Sequence, residues 1–306
     1  MSSGLALLAF LLGLGLSLAA SEVLVRTLGR LGHELRLSAG LLGLLVALGA
    51  DSPEISSALA ASLSGARDVG VGVIIGSNLF NLAALLGLSA LIAGRLRFRR
   101  MLLALDGGVA LLATLIVALL VAVRLAPFLG LALMLIVTVP YVFVLARPVQ
   151  PPPNGSQARG SWRPALWLLP AIGAIVAGSS LMVAMALPLG DRWHVSRAVL
   201  GTVVLAALTS LPNAYAAVRL ALRQNGPAVV SEAFNSNTLN LVAGISVPAL
   251  FLGGIGAVPG AGRELGWLLA MTLAAIVLGF PREELGRPSG LVLIVIYAAF
   301  LAVVMR

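Results

Sequence analysis

Apolar residues in this chain come in runs of about twenty, separated by short clusters of arginine, glycine and proline. A helix rises 1.5 Å per residue, so a hydrocarbon layer about 30 Å thick is crossed by roughly 20 mostly apolar residues. On that ruler the pattern predicts ten spans, near 4–20, 38–63, 69–93, 101–123, 127–146, 164–187, 197–220, 227–253, 264–280 and 288–304. The fold class expected is an all-α polytopic membrane protein. Leu18-Ala19-Ala20 resembles a leader-peptide cleavage site, but Met1-Ser2-Ser3 lacks the positive charge of a leader, so an uncleaved first helix is expected.

Composition sharpens this picture. With 60% apolar and 10% charged residues and a mean hydropathy of +1.07, the chain lies far from soluble domains, where about 25% of residues are charged. Soluble enzymes, nucleic-acid binders and disordered tails are excluded together. The net charge of +9 comes from 20 basic residues, all arginine, scattered in ones and twos between the spans rather than gathered into a nucleic-acid patch. Six of them (Arg67, Arg124, Arg192, Arg197, Arg263 and Arg306) fall beyond even-numbered spans, and the rest follow odd-numbered ones. Because the cytoplasmic side carries the excess, both termini are expected to face outward, in a bacterial inner membrane. The Pro151-Pro152-Pro153-Asn154-Gly155-Ser156 stretch lies in a flexible linker, 147–163, between a first half (1–146) and a second (164–306). There is no cysteine, so thiolate chemistry is absent, and His33 and His194 are expected in separate polar loops.

Residues 41–82 superpose on 200–241 without a gap, at an offset of 159, aligning Ala47 with Ala206, Pro53 with Pro212, Ser77 with Ser236, Asn78 with Asn237 and Asn81 with Asn240. Five spans separate equivalent points, and an odd number inverts the second copy. Two inverted five-helix repeats meeting at the midplane are the plan of many secondary transporters. Pro53 and Pro212 remove backbone donors and are expected to break their helices. Freed carbonyls inside a membrane are tolerated where they are buried in protein or line a cavity. Asp51 and Glu54 lie mid-span, where a carboxylate such as Asp costs about 2.5–3.5 kcal/mol on the insertion scale and so marks function. Ser77 and Asn81, like Ser236 and Asn240, are four apart and share a helical face. Together they predict an oxygen ring suited to a hard cation, with Glu232 on the same face as Ser236 and Asn240.

These segments resemble the calcium/cation antiporter superfamily, the sodium/calcium exchangers and their relatives. The first copy reads Gly49-Ala50-Asp51-Ser52-Pro53-Glu54 followed by Gly76-Ser77-Asn78-Leu79-Phe80-Asn81; the second reads Thr209-Ser210-Leu211-Pro212-Asn213 followed by Asn235-Ser236-Asn237-Thr238-Leu239-Asn240. The resemblance implies that Glu54, Ser77, Asn81, Thr209, Ser210, Ser236 and Asn240 line the ion site, with the backbone carbonyls of Ala47 and Ala206 as further sodium ligands. Asn213 stands where that family carries a second glutamate, Asp51 and Ala50 replace a serine and a threonine, and Glu232 replaces an asparagine. The expectation is a secondary cation antiporter, Na+/Ca2+ exchange by alternating access, with Asp51 and Glu54 supplying charge and Asn213 completing the shell. Proton-coupled Ca2+ exchange and a non-transporting membrane homologue are the alternatives. An enzyme is not expected, nor a cofactor; the partners are inorganic cations and the lipid bilayer, and the transport unit is a monomer.

Overall fold

Leucine, alanine and valine fill the apolar runs and carry no polar side-chain group, so in a hydrocarbon solvent they adopt the structure that satisfies its own backbone, the helix. The computed structural model describes residues 3–35, 37–147, 163–256 and 258–306. Eight of its helices are long and apolar enough to cross a membrane: Ser3–Gly32, Arg67–Ala93, Arg100–Ala122, Pro127–Ala146, Ala165–Arg192, Arg197–Leu222, Ala261–Gly279 and Arg287–Val304. Two further helical runs, 39–63 and 226–251, complete the ten expected, but the first is broken and the second is rich in polar residues. The linker, apart from its first and last residues, lies outside the described residues.

The alternation of ends follows the parity of the spans. At one end, Ser38 donates to the Leu145 carbonyl (2.5 Å), strand Arg95–Arg97 pairs antiparallel with Glu284–Gly286, and Gly226 abuts the backbone of Arg97. At the other, Arg67 donates to the Leu252 carbonyl (3.1 Å), Arg192 reaches Ser3 (3.2 Å) and Arg197 lies 3.8 Å from Asp68. Loops after odd spans therefore meet at one end and loops after even spans at the other, as an inverted repeat of five helices demands.

Helix Arg67–Ala93 is the axis of the bundle, almost wholly buried, and helix Arg197–Leu222 crosses it. The crossing is close because glycine lines it: a Cβ at Gly76 would sit 2.1 Å from the Thr202 carbonyl oxygen, and one at Gly201 2.6 Å from that of Val69. Such small-residue interfaces replace the missing hydrophobic drive between helices in lipid. On the flank, Ser3–Glu34 packs along Leu168–Arg192 through the reciprocal approach of Gly13 and Gly178.

Two expectations are corrected, and the break expected at Pro53 is met. The first helix runs over Ser3–Glu34, well beyond residue 20, and takes His33 with it; the Glu22–Arg26 ion pair, one turn apart at 2.6 Å, supports the polar continuation, whereas His194 does lie in a turn, at φ +54°. The run 38–63 breaks at Asp51 into Ala39–Ala50 and Ser52–Leu63. Pro212, by contrast, is carried inside the continuous helix Ala206–Leu222. The irregularity of that span lies upstream, in a wide π turn at Leu200–Leu205, and π turns also occupy Leu82–Leu88 and Asn240–Ser246.

Gly76→Ala is expected to lower stability by about 1–3 kcal/mol through overpacking, whereas Gly266→Ala, whose Cβ would meet nothing within 4 Å, is expected to raise it by roughly 0.5–1 kcal/mol, as Ala for Gly in a helix does. Melting midpoints of the two variants in one detergent check the opposite signs.

Candidate functional site

The break at Asp51 is a helix start set inside the bundle. Pro53 occupies the first turn of Ser52–Leu63, where its missing N–H leaves nothing unpaired, and Glu54 follows in the same turn. There the exposed N–H ends of the helix favour a negative charge. Pro53 also frees the Gly49 carbonyl, and that oxygen is taken up by the hydroxyls of Ser21 (2.8 Å) and Ser52 (2.8 Å). The freed carbonyl is thus satisfied by side chains rather than offered to the ring.

Asp51, Glu54, Ser77, Asn81, Thr209, Ser210, Asn213, Ser236 and Asn240 are all buried, each at most 3% exposed. Ser210 donates to Glu54 Oε1; Asn213 Nδ2 and the Ser236 hydroxyl donate to Asp51 Oδ1 at 2.9 and 2.8 Å. The Glu54 carboxyl also lies against Asp51 and Asn240. Four asparagines lock the halves together: Asn78 Nδ2 donates to the Asn237 carbonyl (3.0 Å) and Asn237 Nδ2 to that of Asn78 (3.1 Å), while Asn81 Nδ2 reaches Asn237 Oδ1 (3.3 Å) and Asn240 Nδ2 reaches Asn78 Oδ1 (3.1 Å). Exchanging the repeats turns each bond of this set into another. Asn78 and Asn237 were aligned by the repeat but not expected at the centre of the contact.

Five buried oxygens of these residues have no hydrogen-bond partner within the protein: Asp51 Oδ2, Glu54 Oε2, Ser77 Oγ, Asn81 Oδ1 and Asn240 Oδ1. A buried polar atom without a partner costs about 1–3 kcal/mol, so five from one predicted ring mark a place where an ion, a water or a shared proton is stabilised. Three others, on Ser89, Thr202 and Thr272, belong to no such group. Among the described residues no three of His, Cys, Asp and Glu cluster for a metal; the donors here are two carboxylates plus neutral oxygens. This is the mix by which hard cations with flexible coordination are held. Thr209 turns its hydroxyl back to the carbonyls of Leu205 (2.9 Å) and Ala206 (3.2 Å), and the Ala47 carbonyl accepts the Asp51 N–H (2.8 Å). Thr209, Ala47 and Ala206 therefore adjoin the ring without a hydrogen bond into it.

A cavity of about 640 Å³ leads toward this ring from the end that holds Arg219 and Arg223, passing Gly43, Ala47, Glu232 and Asn235. Glu232 is half-buried and feels the Asp51 carboxyl through space, not as part of the hydrogen-bonded ring. Beside the cavity Asp106 accepts from Ser231 (2.5 Å) and Tyr141 (2.9 Å), and Tyr141 also meets Asn235. This cluster was not anticipated. An acid seven residues into an apolar helix was the signal for Asp106, while its partners come from two other helices and have no sequence signature.

Fold and ring together define a polytopic membrane transporter built on inverted repeats. The model of the sodium/calcium exchanger protein family matches residues 5–147 and 164–306, and the chain belongs to that family, whose members are antiporters rather than enzymes. It is 26% identical over 289 residues to the putative antiporter CaxA of Alkalimonas amylolytica, covering 90% of each chain. Among solved structures, the sodium-calcium exchanger NCX_Mj matches at a TM-score of 0.71 with 24% identity, over 98% of this chain and 99% of that one. The H+/Ca2+ exchanger CAX matches at 0.81 with 14% identity, over 97% and 82%. At these identities both share the fold.

Asn78→Ala and Asn237→Ala are each expected to cost about 1–3 kcal/mol by orphaning buried partners, with the double variant losing less than the sum by roughly 0.5–3 kcal/mol. Denaturation midpoints of the four proteins measure the coupling, and strict additivity would contradict the reciprocal lock.

Proposed function

We propose that this cation antiporter exchanges Ca2+ for Na+ by alternating access, with both ions using the ring around Glu54 and Asp51. The five partnerless buried oxygens carry the reading. Glu54 and Asp51 supply charge; Ser77, Asn81, Ser210, Asn213, Ser236 and Asn240 replace the ion's hydration, and Thr209 with the carbonyls of Ala47 and Ala206 completes the sodium positions. Ca2+ accepts six to eight oxygens in flexible geometry. Overlapping sites exclude simultaneous occupancy, which couples the two fluxes.

The two faces of the bundle support alternation. Gly43, with nothing within 4 Å of its Cβ position, and Asn235 line the open cavity. Their repeat mates are Thr202 and Gly76, where a Cβ on the glycine would sit 2.1 Å from the Thr202 carbonyl oxygen. One face is open where the other is shut, and exchanging the conformations of the repeats moves the opening across the membrane. With the arginine-rich end in the cytoplasm of a bacterial cell and both termini outside, the cavity is the cytoplasmic approach.

A second reading, proton-coupled Ca2+ exchange, is favoured by one contact. The carboxyl groups of Glu54 and Asp51 lie against each other, and adjacent carboxylates share protons readily. Vesicles holding the purified protein, loaded with Ca2+ and given Na+ or pH gradients in turn, separate the two. Glu54→Gln is expected to abolish gradient-driven Ca2+ flux under either, and normal flux by a well-inserted Glu54→Gln variant would overturn the site.

A further inference from the structure

The ring's four central residues form two pairs that repeat exchange converts into each other. Adding the offset of 159 takes Glu54 to Asn213 and Asp51 to Ser210. The bond from Ser210 to Glu54 thereby becomes the contact between Asp51 and Asn213, observed at 2.9 Å. Each pair thus holds one carboxylate and one neutral donor, although both carboxylates come from the first repeat. The second repeat contributes Ser210 and Asn213, which are uncharged.

From this exchange of contacts we infer that Asp51 is the second charged ligand of the site, carrying across a hydrogen bond the charge that position 213 lacks. The inference rests on the cation-site reading above and names the residue that sets the site's charge. The functional unit is the 51/213 pair: a carboxylate on either member faces the same space. The burial of both side chains and the donation of Ser236 to Asp51 Oδ1 at 2.8 Å fix the carboxylate beside Glu54, with Oδ2 taking no hydrogen bond from a protein donor. Glu232, the other acid near the ring, does not take this place: it stands in the cavity wall and meets Asp51 only through space.

Asp and Asn are isosteric, so the charge can be moved without changing the packing. In the full-length protein purified in detergent, radioactive Ca2+ binding is measured for the parent, Asp51→Asn, Asn213→Asp and the double swap Asp51→Asn/Asn213→Asp. Each single change is expected to weaken binding about tenfold or more, one by removing a charge and the other by setting two carboxylates against each other, and the swap to recover to within about threefold of the parent, the pattern of strongly coupled neighbours. A second swap, Asp51→Ser/Asn213→Glu, makes both repeats read Ser and Glu at these positions and tests the same idea should the first swap not yield folded protein, as judged by its melting transition. A parent that binds Ca2+ while both folded swaps stay as weak as Asp51→Asn overturns the inference alone. A parent that binds neither Ca2+ nor Na+ overturns the cation-site reading beneath it.

Discussion

A carboxylate held away from water is the constraint from which the rest of this molecule follows. Two of them sit side by side in a helical run, 39–63, that carries no other charged residue, where each costs several kcal/mol unless it is paired. The bundle answers with neutral hydrogen-bond donors: the hydroxyls of Ser210 and Ser236 and the amide of Asn213. None of these cancels the charge. One oxygen of each carboxylate stays without a hydrogen-bond partner in the protein, and on the proposed function a cation supplies the remaining stabilisation. An arginine here would have made a stable, inert ion pair; the twenty arginines are kept to the ends of the spans.

The helix break at Asp51 serves that arrangement. A continuous helix would set the Glu54 carboxylate against the middle of a saturated backbone ladder. Starting a new helix at Ser52 places Glu54 in its first turn instead, where the helix dipole favours a negative charge, and Ser21 on the flanking helix takes the carbonyl that Pro53 releases. The peripheral helix Ser3–Glu34 therefore contributes to the site without touching the ring. In the second repeat Asn213 carries no charge, so no comparable field is needed, and the helix runs unbroken through Pro212.

Much of this was legible in the sequence, and the rest was not for definite reasons. The spans followed from runs of apolar residues about as long as a bilayer is thick, and the ring followed from two copies of one polar motif at a fixed offset. Pro53 and Pro212 look alike in sequence, yet only the first coincides with a break, because the outcome depends on which side chain stands ready to satisfy the freed backbone. The length of the first helix was hidden by Ser21, Glu22 and Arg26: the first is buried against the Gly49 carbonyl, and the other two pair on the exposed face. The Asp106, Tyr141 and Asn235 cluster draws on three helices, and no local pattern encodes a contact among positions so far apart in the chain.

The ring and the scaffold around it obey the repeat differently, and this difference is what a carrier needs. The scaffold is asymmetric: Gly43 faces open space while its mate Thr202 is pressed against Gly76, so one face is open and the other closed. The ring is nearly symmetric, since repeat exchange maps the Glu54 and Ser210 pair onto Asn213 and Asp51 and the asparagine lock onto itself. On the proposed function, a rearrangement that trades the conformations of the two repeats inverts the approach path while leaving the ion among equivalent oxygens. Were both charges confined to one pair, that trade would carry the ion into a different field on each face, and its affinity would differ between the two sides before any gradient was applied. On the proposed function, one carboxylate per pair keeps the site's charge distribution alike in both states and leaves the direction of exchange to the ion gradients.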